Sequence, residues 1–314
     1  MKPLEPTGGP ADQHGRVFVV TGASSGLGLA TARALAERGG RVVLAVRDEE
    51  RGRSAAARIA ATLPDPGAAD RLEVRRLDLA DLDTVWTFAD RLSADHPRLD
   101  VLVNNAGVFA PPRALSPQGH ELQFAVNHLG HFALTGLLLD ALAAGRDPRV
   151  VTVSSLNHRK GRIRFDDLTG ARDYSPMGFY DQSKLANALF GRELHRRLSA
   201  SGRPVRSLLA HPGYTATGLQ TNGPTGLTRL LFGRLLRPLA QRPEDGALPQ
   251  LYAATDPSAR GGEFIGPDGR GELRGAPTRV ALAPSAADAE TARRLWELSE
   301  ELTGVRFGLA AAEA

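Results

Sequence analysis

The sequence predicts an α/β protein: a doubly wound parallel sheet with helices on both faces, folded as a single domain over residues 16–304. Three observations predict it. Short apolar, β-branched runs alternate with segments of helical spacing through the first two thirds of the chain. A glycine-rich turn joins the first run to the first helical segment. The 314 residues, 42% hydrophobic and 24% charged, suffice for one large core without cross-links.

The elements follow in order. Residues 16–20 read as a buried strand. Residues 26–38 carry Leu27, Ala30, Ala34 and Leu35 at helical spacing. A second strand over 41–46 leads to an Ala- and Arg-rich helix over 49–62, stopped by the turn at 64–67. Strand three spans 71–77, a helix 82–93, strand four 99–103, a long helix 122–144 and strand five 149–153. A helix over 180–199 and strand six over 205–210 complete the alternation. Strand–helix–strand units of this kind close by right-handed crossovers. After Pro212 the pattern changes: 215–241 is rich in Gly, Leu and Arg, 246–255 is again helical, and 262–265 is a short last strand. A terminal helix over 285–303 opens on Ser285 as its cap and stops at Gly304. Residues 1–15, with Pro3, Pro6 and Pro10, read as a flexible N-terminal segment, and 305–314 as a tail.

Composition excludes several chemistries. With no cysteine there is no disulfide framework, thiolate metal site, iron–sulfur cluster or cysteine nucleophile. The net charge of +4 comes almost wholly from arginine, since lysine stands only at positions 2, 160 and 184. The basic residues alternate with acids and form no nucleic-acid stripe. No secretory h-region precedes residue 16. The most apolar window, 122–144, contains Gln123, Asn127, His128, His131 and Asp140, too polar for a membrane span. The chain reads as soluble and cytoplasmic. His128 and His131 stand three apart without a third ligand nearby, so no metal is expected and the pair is assigned to packing.

Thr21-Gly22-Ala23-Ser24-Ser25-Gly26-Leu27-Gly28 follows the first strand and opens the first helix. Its glycines let the backbone turn tightly and approach a pyrophosphate, while the helix N-terminus offers free N–H groups and a positive dipole end. Strand–glycine turn–helix is the context of a Rossmann-type nucleotide site.

The spacing Thr-Gly-x3-Gly-x-Gly resembles the short-chain dehydrogenase/reductase family. The family's other marks stand in order: Asn104-Asn105-Ala106-Gly107 after strand four, Asn127 in the long helix, Ser154-Ser155 at the end of strand five, Tyr180-x3-Lys184, and Pro212-Gly213 after strand six. The match covers 16–217. It implies an NAD(P)-dependent oxidoreductase. The cofactor would be held by Gly22, Ser24, Ser25, Gly26, Leu27 and Gly28, by Asp78 and Leu79 near the adenine, and by Asn104, Ala106 and Gly107. Tyr180 and Lys184 would also hold it, as would Pro212, Gly213, Thr215 and Thr217 in a loop closing over the nicotinamide and pyrophosphate.

Cofactor choice turns on the end of strand two. An acid there holds the ribose 2′-OH of NAD, whereas an arginine accommodates a 2′-phosphate. Val46 stands at the acidic position and Arg47 follows, offering a planar fork for phosphate, so NADP(H) is favoured over NAD(H). Asp48 either neutralises Arg47 or points at the ribose itself.

Tyr180 and Lys184 lie four apart, on one face of a helix. A tyrosine titrates near 10, and a neighbouring ammonium should lower that value, so that Tyr180 gives a proton to a carbonyl oxygen or takes one from an alcohol. The resemblance adds that Lys184 binds the nicotinamide ribose. It also gives Ser155, with Ser154 as rival, the role of steadying the substrate oxygen. By the same resemblance Asn127 would hold a water in a relay from Lys184 to solvent.

The 25 positions from Ser155 to Tyr180, together with Asn127-His128-Leu129-Gly130-His131-Phe132 and Ser183-Lys184-Leu185-Ala186-Asn187, resemble the retinol dehydrogenase and WW-domain oxidoreductase branch. Light-dependent protochlorophyllide reductases share part of this pattern but depend on cysteine. The branch implies a bulky, apolar alcohol or carbonyl substrate, with His158 and Tyr214 at its mouth. Residues 214–242 form a candidate substrate lid. Within them 225–241 sorts arginines from leucines on a helical wheel, which also fits plain packing or contact with a membrane surface. A homo-oligomer is one assembly the resemblance allows; the sequence alone does not fix the oligomeric state. A non-catalytic NADP(H)-binding sensor or interaction module of the same fold is the competing reading.

Overall fold

A computed structural model describes residues 12–64, 67–215 and 240–309. Strands β1 (Val17–Thr21), β2 (Arg41–Val46), β3 (Leu72–Arg76), β4 (Val101–Asn104), β5 (Arg149–Val153), β6 (Arg206–Ala210), β7 (Phe264–Pro267) and β8 (Pro277–Arg279) form one sheet. Its order is β3-β2-β1-β4-β5-β6-β7-β8. All pairs are parallel except β7 with β8. Neighbouring β1 and β4 send their chains to opposite sides, which opens a crevice at their C-terminal ends. The register Phe18↔Val101 and Val20↔Val103 brings the turn after Thr21 beside the loop after Asn104.

Helices α1 (Gly26–Ala36), α2 (Glu49–Ala60), α3 (Leu82–Asp95), α4 (Leu122–Phe124), α5 (Gly130–Leu137), α6 (Leu139–Ala143), α7 (Pro176–Ala200), α8 (Pro243–Thr255) and α9 (Ala289–Thr303) cover the sheet. Burial on both faces explains why the central strands read as continuous apolar runs. One core joins Phe18, Val20, Leu44 and Val103 to Leu35, Ile59 and Leu251. The other joins Val19, Leu102 and Val150 to Phe88, Leu134, Phe190 and Trp296.

Several boundaries differ from expectation for local reasons. The helix expected over 122–144 is interrupted by a π-helical turn, Ala125–Leu129, and a break at Leu138. Helix α7 starts four residues early because Ser175 caps it and Pro176 fits its first turn. The last helix is capped by Asp288, not Ser285, whose residue lies in a short 3-10 turn, Pro284–Ala286. Gly304 does end it, at φ 68°. Strand β8 was not expected. In the expected tail, Val305 and Phe307 are buried, the latter with ring centroids 4.5 Å from Trp296 and 4.9 Å from Phe132. Fully buried Arg149 donates to Ala253 O at 3.0 Å and Asp256 O at 2.9 Å, closing the C-terminus of α8. Among the described residues no helix is long and apolar enough to cross a membrane. The lid expected over 214–242 lies, for 216–239, outside the described residues.

Candidate active site

The crevice between β1 and β4 begins with the glycine turn. Gly22 and Gly26 take φ of +69° and +55°, conformations that L side chains avoid. A Cβ on Gly28 would collide with Gly22 O. Helix α1 opens at Ser25 with no side-chain cap and no acid in its first turn, leaving N–H groups and dipole available to an anion. A Cβ on Gly22 would come within 3.0 Å of Ala106, so the turn lies flat against the loop after β4.

Thr21 and Asn105 lock those two loops. Thr21 Oγ1 accepts from the N–H groups of Asn105 and Ala106, both at 2.9 Å, and Asn105 Nδ2 donates to Thr21 O at 2.8 Å. His131 pairs with Thr21 Oγ1 at 2.9 Å through Nε2 and with Asn127 O at 3.0 Å through Nδ1. Burial holds its imidazole down to about 4, hence neutral. Asn104, expected against the cofactor, instead turns its carboxamide into the helix layer and donates to Thr135 at 2.9 Å. The sequence reading missed Thr21, Asn105 and His131 as the clamp; the one signal was His131 four residues after Asn127.

At the end of β2, Arg47 is exposed and has no ion-pair or hydrogen-bond partner among the described residues. Asp48 is occupied elsewhere: it caps α2 by accepting from Arg51 N at 3.1 Å and pairs with Arg51 Nε at 3.4 Å. Half-buried Asp78 accepts from Ala80 N at 3.0 Å, and buried Leu79 packs against Gly130.

The polar residues converge at the other end of the crevice. Ser155 stands beside Tyr180, where its side chain acts to lower the phenol's titration. The Tyr180 ring meets Phe109 edge-on, centroids 4.7 Å apart. Lys184 Nζ lies 5.7 Å from the Tyr180 ring centroid and donates to Val153 O at 3.3 Å. A Cβ on Gly107 would stand 3.1 Å from Asn127 Oδ1 and 3.7 Å from Lys184 Nζ, so a side chain there would crowd both groups. Asn127, on the π-helical turn, grips the backbone of Val108 from both sides, at 2.8 and 3.0 Å, and donates to Ser183 Oγ at 2.9 Å. Ser183 in turn donates to Tyr180 O at 2.8 Å. The two serines separate cleanly: Ser155 faces Tyr180, while buried Ser154 donates to Lys184 O at 2.8 Å.

Electrostatics run against the expectation from the pair alone. Burial pushes the Tyr180 phenol up to about 12, with Ser155 opposing and Asp181 adding to the rise. Burial also brings Lys184 down to about 8. Desolvation sets the direction of both shifts.

His158 is corrected outright. It is fully buried, bonding Ser155 O at 2.7 Å through Nδ1 and accepting from Ala283 N at 3.2 Å, so it pins the turn after β5 and lines no opening. Tyr214 is half-buried, its N–H on Leu273 O at 2.8 Å. Gly213 takes φ +65°, and Thr215 Oγ1 donates to Pro212 O at 2.9 Å, fixing the turn after β6. Thr217 lies outside the described residues.

The family model for short chain dehydrogenases matches residues 16–226. The chain is 40% identical over 310 residues to human retinol dehydrogenase 14, covering 95% of this chain and 89% of that protein. It is 42% identical over 303 residues to mouse polyprenol dehydrogenase, covering 94% and 86%. Among solved structures, an uncharacterised protein from Mycobacterium paratuberculosis shares 44% identity at a TM-score of 0.77, covering 96% of this chain and 98% of that one. A short chain dehydrogenase from Shigella flexneri, complexed with NADP, shares 25% at 0.61, covering 80% and 96%. A glycine turn, an asparagine loop and a Tyr–Lys helix meeting in one crevice, with relatives spanning nearly the whole chain, place it plainly: the chain belongs to the short chain dehydrogenase family and is an NAD(P)-dependent oxidoreductase.

Proposed function

We propose that this protein is an NADP(H)-dependent oxidoreductase acting on the carbonyl or alcohol of a bulky, apolar small molecule, with Tyr180 as proton donor and acceptor. The observation that carries the reading is the grouping of Ser155 and Lys184 about Tyr180, in a crevice whose other end is a glycine turn and an uncapped helix. The residues fit a dinucleotide: a methyl on Gly22 or Gly107 would fill the cradle, and the N-terminus of α1 suits a pyrophosphate. A nicotinamide cofactor bound there supplies hydride donation or acceptance.

The chain's own residues do the rest. Ser155 offers its hydroxyl to the substrate oxygen alongside the phenol. Tyr180, titrating well above neutrality, arrives protonated and can donate to a developing alkoxide. Lys184, brought down to about 8, exchanges its proton with solvent near neutral pH and can restore the proton on Tyr180. Phe109, edge-on to Tyr180, gives the substrate side an apolar wall. Unpartnered Arg47 at the end of β2, and a structural relative complexed with NADP, support the 2′-phosphate reading. The substrate class is supported by relatives named for retinol and polyprenol, both long apolar alcohols.

The test mixes purified protein with NADPH and a panel of apolar aldehydes and ketones, following NADPH absorbance. Turnover is expected with extended apolar carbonyls. Tyr180→Phe is expected to lower kcat by about 10²–10⁴ while leaving NADPH binding intact. A Tyr180→Phe variant turning over at near-full rate would refute the assignment.

A further inference from the structure

Outside the four polar residues, one carboxylate joins the two halves of the site. Glu272 lies in the short 3-10 turn Arg270–Glu272 between β7 and β8, far in sequence from every residue assigned above. Both its oxygens accept from Arg159 NH2, at 2.7 Å each. Its Oε2 also pairs with His211 Nε2 at 3.0 Å. Each partner belongs to a different wall of the crevice.

Arg159 ends the 3-10 turn Leu156–Arg159, which Ser155 caps. The N–H of His158 donates to Ser155 O at 3.1 Å, so this turn fixes Ser155 from behind. His211 follows β6 and immediately precedes Pro212-Gly213. Its Nδ1 accepts from Gly213 N at 3.3 Å, which leaves the proton on Nε2, facing Glu272. The backbone of the same hairpin meets the same loop. Tyr214 N donates to Leu273 O at 2.8 Å, and a Cβ on Gly213 would lie 2.9 Å from Glu272 O. Glu272 itself holds φ +57°, unusual for a residue with a side chain, so its surroundings impose that conformation. The hydrogen bond from His211, reinforced by Arg159, keeps the carboxyl down at about 2, ionised at all working pH.

We infer that Glu272 is a positioning residue: its carboxylate struts the Ser155 turn against the Pro212–Thr215 loop and so sets the width of the crevice where cofactor and substrate oxygen meet. This rests on the reading of that crevice as an NADP(H) site. The carboxylate touches neither Tyr180 nor Lys184, so its effect passes through the two loops.

The test uses the full chain with Glu272→Gln, Glu272→Asp, Arg159→Met and the Glu272→Gln/Arg159→Met double variant. Hydrogen exchange is measured on the protein alone, NADPH affinity by nicotinamide fluorescence, and kcat and KM with the best carbonyl. In Glu272→Gln the amides of 156–159 and 211–214 are expected to exchange faster together, while the central strands stay protected. NADPH affinity is expected to fall about five- to tenfold and kcat to drop with it, leaving the carbonyl KM nearly unchanged. Glu272→Asp should recover part of the loss, and the double variant should lose much less than the product of the two single effects. Wild-type exchange at both segments in Glu272→Gln, or independent multiplication of the two single effects, overturns the strut. Failure of the wild-type protein to bind NADPH would instead strike the cofactor reading, and the exchange result would still decide the strut. Arg159, on the surface side of the pair, gives the same decision should Glu272 variants fold poorly.

Discussion

Lys184→Met should inactivate the protein and stabilise it. Lys184 is 5% exposed, and among the described residues no carboxylate pairs with its ammonium. Its hydrogen bond goes to Val153 O, which Asn187 Nδ2 also serves at 3.1 Å. A fall from 10.5 to about 8, at about 1.4 kcal/mol per pKa unit, means that keeping this amine charged costs the fold roughly 3 kcal/mol. Methionine keeps the unbranched apolar stem and removes the charge. Losing the bond to Val153 O returns about 1 kcal/mol, so a net gain of roughly 1–2 kcal/mol is expected at neutral pH. For a chain of this size that is a rise in Tm of roughly 1.5–3 °C. The sign has a pH signature. Below about pH 8 the amine is protonated in both the folded and the unfolded chain, and the full penalty applies. Between there and about 10.5 the unfolded chain binds more protons, so wild-type stability rises with pH relative to the variant. Urea unfolding of both proteins at about pH 7 and about pH 10 therefore reads a gap that narrows with pH. A variant less stable than wild type at neutral pH, or a gap that ignores pH, refutes the claim that an uncompensated charge is buried here.

Three further outcomes are expected. Arg47→Ala should weaken NADPH binding about tenfold and leave NADH binding unchanged, as read by fluorescence titration, because a phosphate loses a charge-assisted partner and a hydroxyl does not. The two neighbouring serines should part: Ser155→Ala lowers kcat about 10- to 100-fold and, by removing the cap on Asn157 N, also costs about 1 kcal/mol of stability. Ser154→Ala, which breaks the bond to Lys184 O, costs about 1 kcal/mol in denaturant unfolding and leaves kcat near normal. Gly28→Ala should abolish nucleotide binding and destabilise by about 1–3 kcal/mol, since its methyl collides with Gly22 O and neither backbone can yield; calorimetry reads both effects.

What the sequence disclosed and what it withheld divide along a physical line. Local periodicity and fixed spacing carried the succession of strands as far as β6, the glycine turn and the shared face of Tyr180 and Lys184, because those follow from backbone geometry over a few residues. The capping residue of the last helix was misread because Ser285 and Asp288 both suit the role locally, and only the intervening 3-10 turn decides between them. His158 stood by position at the substrate mouth, yet the segment at Ala283, between β8 and the last helix, closes over it, a contact 125 residues distant. Glu272 carried no motif at all; its meaning exists only once β7 and β8 bring it between Arg159 and His211.

The direction of the pKa shifts was hidden for the same reason. Spacing tells that an ammonium and a phenol are neighbours, but burial, which no spacing encodes, decides that desolvation exceeds their attraction. The consequence is chemical. A phenol held near 12 stays protonated throughout the neutral range, and the buried lysine near 8 is the member of the pair whose proton can come and go there. On that footing the lysine's placement against Gly107 and Asn127, and not the acidity of the tyrosine, is what a change in the pH dependence of turnover should follow. Replacing Gly107 by alanine, which crowds both Asn127 Oδ1 and Lys184 Nζ, should move the alkaline limb of the rate profile. An alkaline limb that stays in place in that variant would return the titration to Tyr180.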